Sequence, residues 1–258
     1  MSLRALLYRR PSEPSTVAVV FDQAVYLVRM RRHRQARRYT LRIDAAAREV
    51  VLTIPPRGSV KEAKEFAQKH GGWIAARLKR LPKATPFADG SDVPLRGMPH
   101  RITHRRGERG TVWTELSARG DRLLCVAGEP AHVNRRINDF LKREAARDLA
   151  VASRRCASAL GVPIKRICVR DQTSRWGSCS NTGVLSFSWR LILAPSFVLD
   201  YLAAHEVCHL VELNHSPRFW RLVERLYPDV ERAKAWLDVY GTDLHRYGLS
   251  LPRGASNI

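Results

Sequence analysis

The stretch Asp200-Tyr-Leu-Ala-Ala-His-Glu-Val-Cys-His-Leu-Val-Glu-Leu-Asn-His215 determines how the chain is interpreted. Each helical residue advances about 100°, so His205 and His209 share one helix face, and both imidazoles can reach one metal ion. Glu206 can hold a water beside that ion without binding the ion, which is what the H-E-x-x-H pattern provides. The surrounding apolar residues predict a buried helix, where unpaired polar groups are costly. A pair of hydrogen-bonded core histidines is the structural alternative.

His215 is the leading candidate for a third ligand, since catalytic zinc sites use three protein ligands and a water. It lies six residues after His209, the spacing of the longer H-E-x-x-H-x-x-G-x-x-H pattern. A continuous helix would carry His215 to another face, so the helix is expected to end first. Glu212 stands at the glycine position of that pattern, and Asn214 can supply the left-handed residue instead. Ser216-Pro217 then starts the next helix.

Two carboxylates remain alternatives for the third ligand. Glu212 shares the face of His205 and His209 if the helix continues. Glu224 lies on the next predicted helix, where some zinc peptidases place a carboxylate ligand.

Several separated motifs occur in the order typical of one family. They are Arg175-Trp-Gly-Ser-Cys-Ser180, Leu185-Ser-Phe-Ser-Trp-Arg190, Ala194-Pro195, Tyr201-Leu-Ala-Ala-His-Glu-Val-Cys-His209, Asn214-His-Ser216 and Phe219-Trp220. Together they resemble the YgjP-like metallopeptidase domain, which is related to the SprT-like and WLM zinc peptidases. N-terminal segments extend the resemblance over most of the chain: Leu41-Arg-Ile43, Val51-Leu-Thr-Ile-Pro55, Trp73-Ile74 and the turn near Gly97. The resemblance implies zinc at His205, His209 and His215. It also implies a catalytic Glu206 and a peptidase-like fold, without a known substrate.

The pattern of elements predicts an α+β fold in two parts. Residues 17–129 read as a small, mixed, β-rich N-terminal domain. Residues 130–248 read as a zincin-like metallopeptidase domain that contains the H-E-x-x-H helix. Residues 1–16 and 249–258 are expected to be tails. No internal repeat is evident in the sequence.

Three segments carry specific expectations about secondary structure. Residues 60–81 predict one helix capped by Ser59. Residues 184–193 predict a strand, which is either a packed central strand or the sheet edge that holds an extended substrate. Residues 196–213 predict the helix of the H-E-x-x-H motif.

Bulk properties exclude several classes of protein. The chain has 258 residues with 45% hydrophobic content, enough for one large or two modest globular domains. No apolar run approaches the length of a membrane span, and the N-terminus lacks an apolar signal core, so we expect a cytoplasmic protein with no membrane partner. Five cysteines form no C-x-x-C pair and predict reduced thiols. The sequence does not indicate an oligomeric state.

The net charge of +21 exceeds what solubility requires and favours polyanions. Positive charge is dense over residues 29–38 and 101–109. This density suggests binding to nucleic acid or to an acidic protein. The alternative is a set of solvated charged faces, and no RRM, KH or zinc-finger pattern decides between the two.

These observations predict a zinc-dependent hydrolase, most simply a metallopeptidase acting on a peptide or protein, with Glu206 as general base. Two other hypotheses remain: a metal-dependent hydrolase of a nucleotide or other phosphate substrate, and a nucleic-acid-associated protein with a structural zinc. Arg175 and Arg190 are candidate substrate-binding residues, with structural or solvated arginines as the alternative. The donor to an anionic intermediate is not named by the sequence; candidates are Tyr201, Arg175, Tyr240 and His245.

Overall fold

The computed structural model describes residues 14–44, 49–81, 83–172 and 175–248. It is a mixed α+β structure in which small sheets precede helices, and it divides into two compact units after Leu81. The predicted tail at 249–258 lies outside the described residues, as does most of the predicted tail at 1–16, and the first strand begins at Thr16. No helix in the described part of the chain is long and apolar enough to cross a lipid bilayer.

The first unit is a four-stranded sheet with two helices packed on one face. Its elements are β1 (Thr16–Phe21), β2 (Ala24–Arg32), β3 (Thr40–Asp44), β4 (Glu49–Ile54), α1 (Val60–Lys69) and α2 (Gly71–Lys79). The strand order is β1-β2-β4-β3, with β2 and β4 parallel and the two outer pairs antiparallel. Alternate strand residues point to one face and form a core with Ala63, Ala67 and Ile74 of the helices.

The helix predicted over residues 60–81 is divided into α1 and α2 at His70. The capping box at the start of α1 is present, because Ser59 and Glu62 exchange hydrogen bonds between side chain and backbone. At His70 the backbone leaves the helical region, with ψ at 18°. A Cβ on Gly71 would lie 3.0 Å from the Cβ of an aromatic side chain of β1. Close packing on the sheet therefore favours glycine here, and glycine weakens a continuous helix.

The second unit combines two sheets with a layer of helices. Its elements are β5 (Asp92–Leu95), β6 (Met98–Arg105), β7 (Val112–Leu116), β8 (Arg122–Ala127), α3 (Val133–Leu160), β9 (Arg166–Arg170), β10 (Gly177–Cys179), β11 (Val184–Ser188), α4 (Ser196–Cys208), α5 (Pro217–Leu226) and α6 (Val230–Tyr240). One sheet has the order β5-β6-β8-β7 and the other the order β10-β11-β9. The 28-residue α3 packs against strands of both sheets and against α4.

The division after Leu81 differs from the boundary expected between residues 129 and 130. The reason is that β5 to β8 do not close a core of their own. Their buried residues, such as Ile102 and Leu124, belong to one hydrophobic cluster with α3 and α4. The chain changes from mostly strand to mostly helix near residue 130, but residues before and after this point belong to the same hydrophobic core.

The two four-stranded sheets repeat one topology, which the sequence does not reveal. In each, an antiparallel hairpin is followed by a strand at the far edge and a strand that returns to pair in parallel with the second. Val28 pairs with Val50 in the first sheet, and Ile102 pairs with Leu124 in the second. Both hairpins turn through two residues of positive φ, which are Asp22-Gln23 and Arg96-Gly97. A helix follows each sheet, so the chain contains a structural duplication.

The segment predicted as a strand over 184–193 is a strand only as far as Ser188. The next five residues, Trp189–Leu193, form a 3-10 helix and are all buried. Burial of an apolar run does not distinguish a strand from a short helix, which explains the difference. Moreover, β11 is the central strand of its sheet, so it is not the exposed edge.

The hairpin between β5 and β6 holds the chain where it enters α4. The amide of Arg96 donates to the carbonyl of Ile192 (2.7 Å), and the amide of Gly97 donates to Leu193 (3.2 Å). The Arg96 guanidinium also bonds Glu144 and Asp148 of α3, each at 2.7 Å. The hairpin thus links α3 to the start of the helix that carries the H-E-x-x-H motif.

We predict that Gly97→Ala destabilises the protein more than Gly120→Ala does. Both glycines have positive φ, 77° and 85°, so both substitutions carry backbone strain. A Cβ at position 97 would also lie 2.9 Å from Cα of Pro195, whereas no atom lies within 4 Å of a Cβ at position 120. Overpacking typically costs about 1–3 kcal/mol, which should separate the two midpoints in thermal unfolding by several degrees. Equal midpoints would show that the hairpin contact does not contribute.

Candidate metal centre

The helix α4 is buried on nearly all sides and ends at Cys208, five residues before the predicted end at residue 213. The final turn is tightened: the amide of Leu210 donates to Val207 (3.0 Å), and the amides of Val211 and Glu212 both donate to Cys208. Asn214 does not adopt the left-handed conformation expected of it. Among the described non-glycine residues, only Asp22, Gln23 and Arg96 have a positive φ. The turn is made by these backbone hydrogen bonds instead.

Beyond the turn, Ser216 caps α5 by accepting a hydrogen bond from the amide of Phe219 (3.3 Å), and Pro217 occupies the first helical position. His215 is therefore placed between the end of α4 and the start of α5, as the sequence predicts. After α4 ends, the chain folds back toward the last turn of this helix.

Three imidazoles converge at this place. The ring centroids of His205, His209 and His215 are 4.7 to 5.1 Å apart, and one nitrogen from each ring lies within 4.8 Å of the other two. Nε2 of His205 lies 3.1 Å from Nε2 of His215. Two imidazole nitrogens that bind one tetrahedral zinc at about 2.0–2.1 Å are about 3.3 Å apart, so this arrangement fits a shared ion.

The protonation of the rings also suits a metal. Nδ1 of His209 donates to the carbonyl oxygen of Glu212 at 3.0 Å, which leaves its Nε2 free to act as a ligand. Burial, with the neighbouring histidines, lowers the pKa of His205 to about 4, and burial lowers the pKa of His209. Neutral imidazoles are the form that binds zinc. The three imidazoles therefore fit a zinc ion, which is the ion that the H-E-x-x-H motif implies.

Two aromatic side chains of α5 support the three rings. Phe219 is fully buried, and its ring lies 4.4 to 4.9 Å from each of the three imidazoles. Trp220 stacks on His215 at 5.8 Å, and the Lys234 ammonium lies 4.1 Å from the centre of the Trp220 ring. This packing restricts the imidazole orientations, which preorganises the site.

Glu206 follows His205 on α4 and is 5% exposed. Burial raises the pKa of Glu206 to about 7, and the positive charge of Arg175 partly offsets that shift. Its carboxylate packs against β10, because a Cβ placed on Gly177 would lie 2.4 Å from Oε1 of Glu206. Gly177 belongs to the Arg175–Ser180 motif. The structure places Gly177 in a strand, where the missing side chain makes room for the carboxylate of Glu206.

Trp176 precedes Gly177 and packs against the hydrophobic core. Its ring stacks on His245 with centroids 5.2 Å apart, and a Cβ on Gly241 would lie 3.3 Å from it. The carbonyl of Trp176 accepts a hydrogen bond from the amide of Ser188 (2.9 Å). These contacts fix the start of β10 beside Glu206.

Arg190 is not placed as a substrate-binding residue should be. It is 2% exposed, and its guanidinium donates to Asp171 and to the carbonyls of Leu244 and Tyr247 at 2.7 to 3.1 Å. It therefore fastens the C-terminal segment of the unit to the chain ahead of α4. An apolar context, Trp-Arg-Leu-Ile-Leu, was the available signal that Arg190 would be buried. Arg175, in contrast, is exposed and lies near enough to Glu206 to affect its pKa.

The remaining candidates are dispersed. Glu212 contributes its backbone carbonyl rather than its carboxylate, and Glu224 is exposed on α5 outside the histidine cluster. Tyr201 is buried, with its ring 5.8 Å from that of His205, and burial raises its pKa to about 12. Tyr240 is half exposed and packs on Trp236.

Comparison with known proteins gives one family and one solved structure. The model of the family described as YgjP-like, metallopeptidase domain, matches residues 37–240. The crystal structure of the metallopeptidase zymogen of Pyrococcus abyssi abylysin is 25% identical, with 38% of this chain and 97% of that chain covered and a TM-score of 0.33. No curated protein matches the chain. The family match includes every motif on which the resemblance in the sequence depends.

We predict that the purified protein carries about one zinc per chain, because three imidazoles suit that ion. His215→Ala should lower the zinc content, measured by inductively coupled plasma mass spectrometry, and should reduce the midpoint of thermal unfolding. Glu212→Ala and Glu224→Ala are the matched controls and should keep the metal. Zinc loss in Glu224→Ala with full retention in His215→Ala would assign the third ligand to the carboxylate.

Proposed function

The chain belongs to the YgjP-like metallopeptidase domain family, and from that membership we propose that it is a zinc-dependent peptidase with Glu206 as general base. The observation that carries the proposal is the arrangement at the end of α4. Three imidazole nitrogens lie within 4.8 Å of one another, and Glu206, the residue after His205 on α4, is buried with its carboxylate against Gly177 of β10. A structural zinc site has no use for such a carboxylate.

In this proposal His205, His209 and His215 hold the ion. Zinc, when bound, polarises a substrate carbonyl and makes water a stronger nucleophile near neutral pH. The Glu206 carboxylate accepts a proton from the attacking water and returns it to the leaving amine. Gly177 has no side chain, which leaves room for Oε1 of Glu206 against the backbone of β10. Arg175 places a positive charge near this carboxylate.

The edge of the three-stranded sheet is suited to an extended peptide. β10 pairs with β11 on one side, and no strand in the described part of the chain pairs with its other side. An extended substrate could add to β10 through main-chain hydrogen bonds, as in other cases of strand addition. Because Gly177 of β10 contacts Glu206, a peptide bound along this strand would pass beside the base.

A cavity adjoins the histidines at the other end of β10. It has a volume of about 500 Å³ and is lined by His209, by apolar residues such as Leu210 and Ile164, and by polar residues such as Asn181 and Lys165. A volume of this size accommodates a large amino-acid side chain. We infer that the cavity receives a substrate side chain next to the cleaved bond.

We predict that Glu206→Gln abolishes hydrolysis without releasing zinc. The substitution removes the base but preserves size and hydrogen bonding, and loss of general-base catalysis costs about 100- to 10,000-fold in rate. Casein cleavage and self-cleavage are the first assays, with nucleoside triphosphates beside them to test the phosphate alternative. Wild-type hydrolysis of casein by Glu206→Gln would remove Glu206 from the mechanism. Turnover of nucleotides alone, lost in Glu206→Gln, would replace the peptidase by the phosphate hydrolase.

A second variant tests the position of the base. Gly177→Ala places a methyl group where Oε1 of Glu206 lies, so we expect kcat to fall by about 100-fold, the cost of a displacement near 1 Å, with KM and zinc content little changed. Ser178→Ala on the same strand is the control and should resemble the wild type. An unchanged kcat in Gly177→Ala would show that the contact with Glu206 is not required.

A further inference from the structure

The stretch that runs from the end of β2 through the following connection into β3 carries an unusual concentration of arginine. Seven of the fourteen residues from Arg29 to Arg42 are arginine, and none is Asp or Glu, so the positive charge is not balanced locally. We propose that the first unit binds the phosphate backbone of nucleic acid through five of these side chains. The arginine surface consists of Arg31, Arg34, Arg37, Arg38 and Arg42, all of them exposed.

The five differ from the other two arginines of the stretch. Arg29 pairs with Glu49 at 2.8 Å, and Arg32 donates to the carbonyls of Pro55, Pro56 and Gly58 at 2.8 to 3.1 Å. The structure gives no ion pair or hydrogen bond to the guanidinium of any member of the arginine surface among the residues that it describes. Their charges are therefore available to an external anion.

The duplicated sheet of the second unit provides an internal comparison. There Arg101 pairs with Asp92 at 2.9 Å, and Arg105 pairs with Glu115 at 2.8 Å. The connection that corresponds to the one between β2 and β3 also contains Glu108. Arg106 and Arg109 of that connection are also exposed and have no ion pair among the described residues, so the two connections differ in the number of arginines and in the presence of Glu108.

Backbone and side-chain contacts fix the connection that presents the arginine surface. The amide of His33 donates to Ile54 (3.0 Å), and the amide of Ala36 donates to His33 (3.1 Å). At the far end, the hydroxyl of Tyr39 donates to the Glu62 carboxylate at 2.7 Å. A fixed connection loses little conformational entropy when a ligand binds, which favours affinity.

The chemistry of the surface distinguishes nucleic acid from an acidic protein. Guanidinium groups bind phosphate through paired hydrogen bonds. From residue 31 to residue 42 the exposed side chains are all polar, whereas protein interfaces have an apolar centre. Tyr39 is half-buried against Phe66, with centroids 5.9 Å apart, so the stretch offers no exposed Phe, Tyr or Trp for stacking on bases. We therefore infer contacts with the backbone that are independent of nucleotide sequence.

The test is fluorescence anisotropy of a short labelled DNA duplex with the full chain at several salt concentrations. Five phosphate contacts predict a slope of about −4.5 in a plot of log K against log salt, or about a 500-fold loss of affinity between 50 and 200 mM. Replacement of Arg31, Arg34, Arg37, Arg38 and Arg42 by Gln should remove most of that slope. Circular dichroism checks that this variant is folded.

A matched control separates the arginine surface from net charge. Arg106, Arg109, Arg119, Arg122 and Arg143 are exposed arginines of the second unit, and their replacement by Gln makes the same change in net charge. This control should bind DNA as the wild type does. Equal losses in the two variants, or no binding of DNA by the wild type at 50 mM salt, would overturn the proposal. Tighter binding of poly-glutamate than of DNA would overturn it in favour of an acidic protein.

The proposal does not depend on the peptidase activity. DNA binding should be the same in Glu206→Gln and after removal of zinc by a chelator, because the arginine surface belongs to the first unit. Loss of DNA binding on removal of zinc would place the binding surface elsewhere and would contradict the assignment to the first unit.

Discussion

The candidate site depends on one constraint, the end of α4 at Cys208. If the helix continued through residue 213, His215 would be carried along the axis away from His205 and His209. The tightened final turn brings the chain back toward His205 and His209. The carbonyl of Glu212 then accepts a hydrogen bond from Nδ1 of His209. This short turn therefore brings the imidazole of His215 back to the other two and orients the imidazole of His209. The buried rings of α5 then pack against an arrangement that backbone hydrogen bonds have already set.

Much of this arrangement could be predicted from the sequence because it depends on local spacing. The separation of His205 and His209 is a property of any helix, and the Ser216-Pro217 start of α5 is a local signal. The family was predicted correctly from its motifs. What the sequence could not show depends on contacts between distant segments. The position of Gly177 under Glu206 joins a strand to a helix, and the burial of Arg190 depends on carbonyls near the C-terminus.

The α+β class agrees with the prediction, whereas the chain divides at a different place from the expected boundary. The reason is again that contacts between distant segments are not visible in the sequence. Helix and strand periodicity indicate what each segment forms, yet a domain boundary depends on which segments share a core. The sheet from β5 to β8 shares its core with α3 and α4, so the division falls after Leu81. The duplicated topology was invisible because equivalent positions share hydrophobicity and pairing rather than identity, as Val28 and Ile102 illustrate. The two copies have also diverged: the second uses its hairpin to hold α4, and the first carries five exposed arginines with no ion pair among the described residues.

The absence of a side chain at Gly177 has a mechanical consequence. The backbone of β10 and the carboxylate of Glu206 are in direct contact, without a flexible side chain between them. Such a contact has little free space, so a shift of β10 toward α4 would displace the carboxylate. The position of the edge strand therefore limits the positions that the carboxylate can take, and a peptide that presses β10 toward α4 would also press on the base.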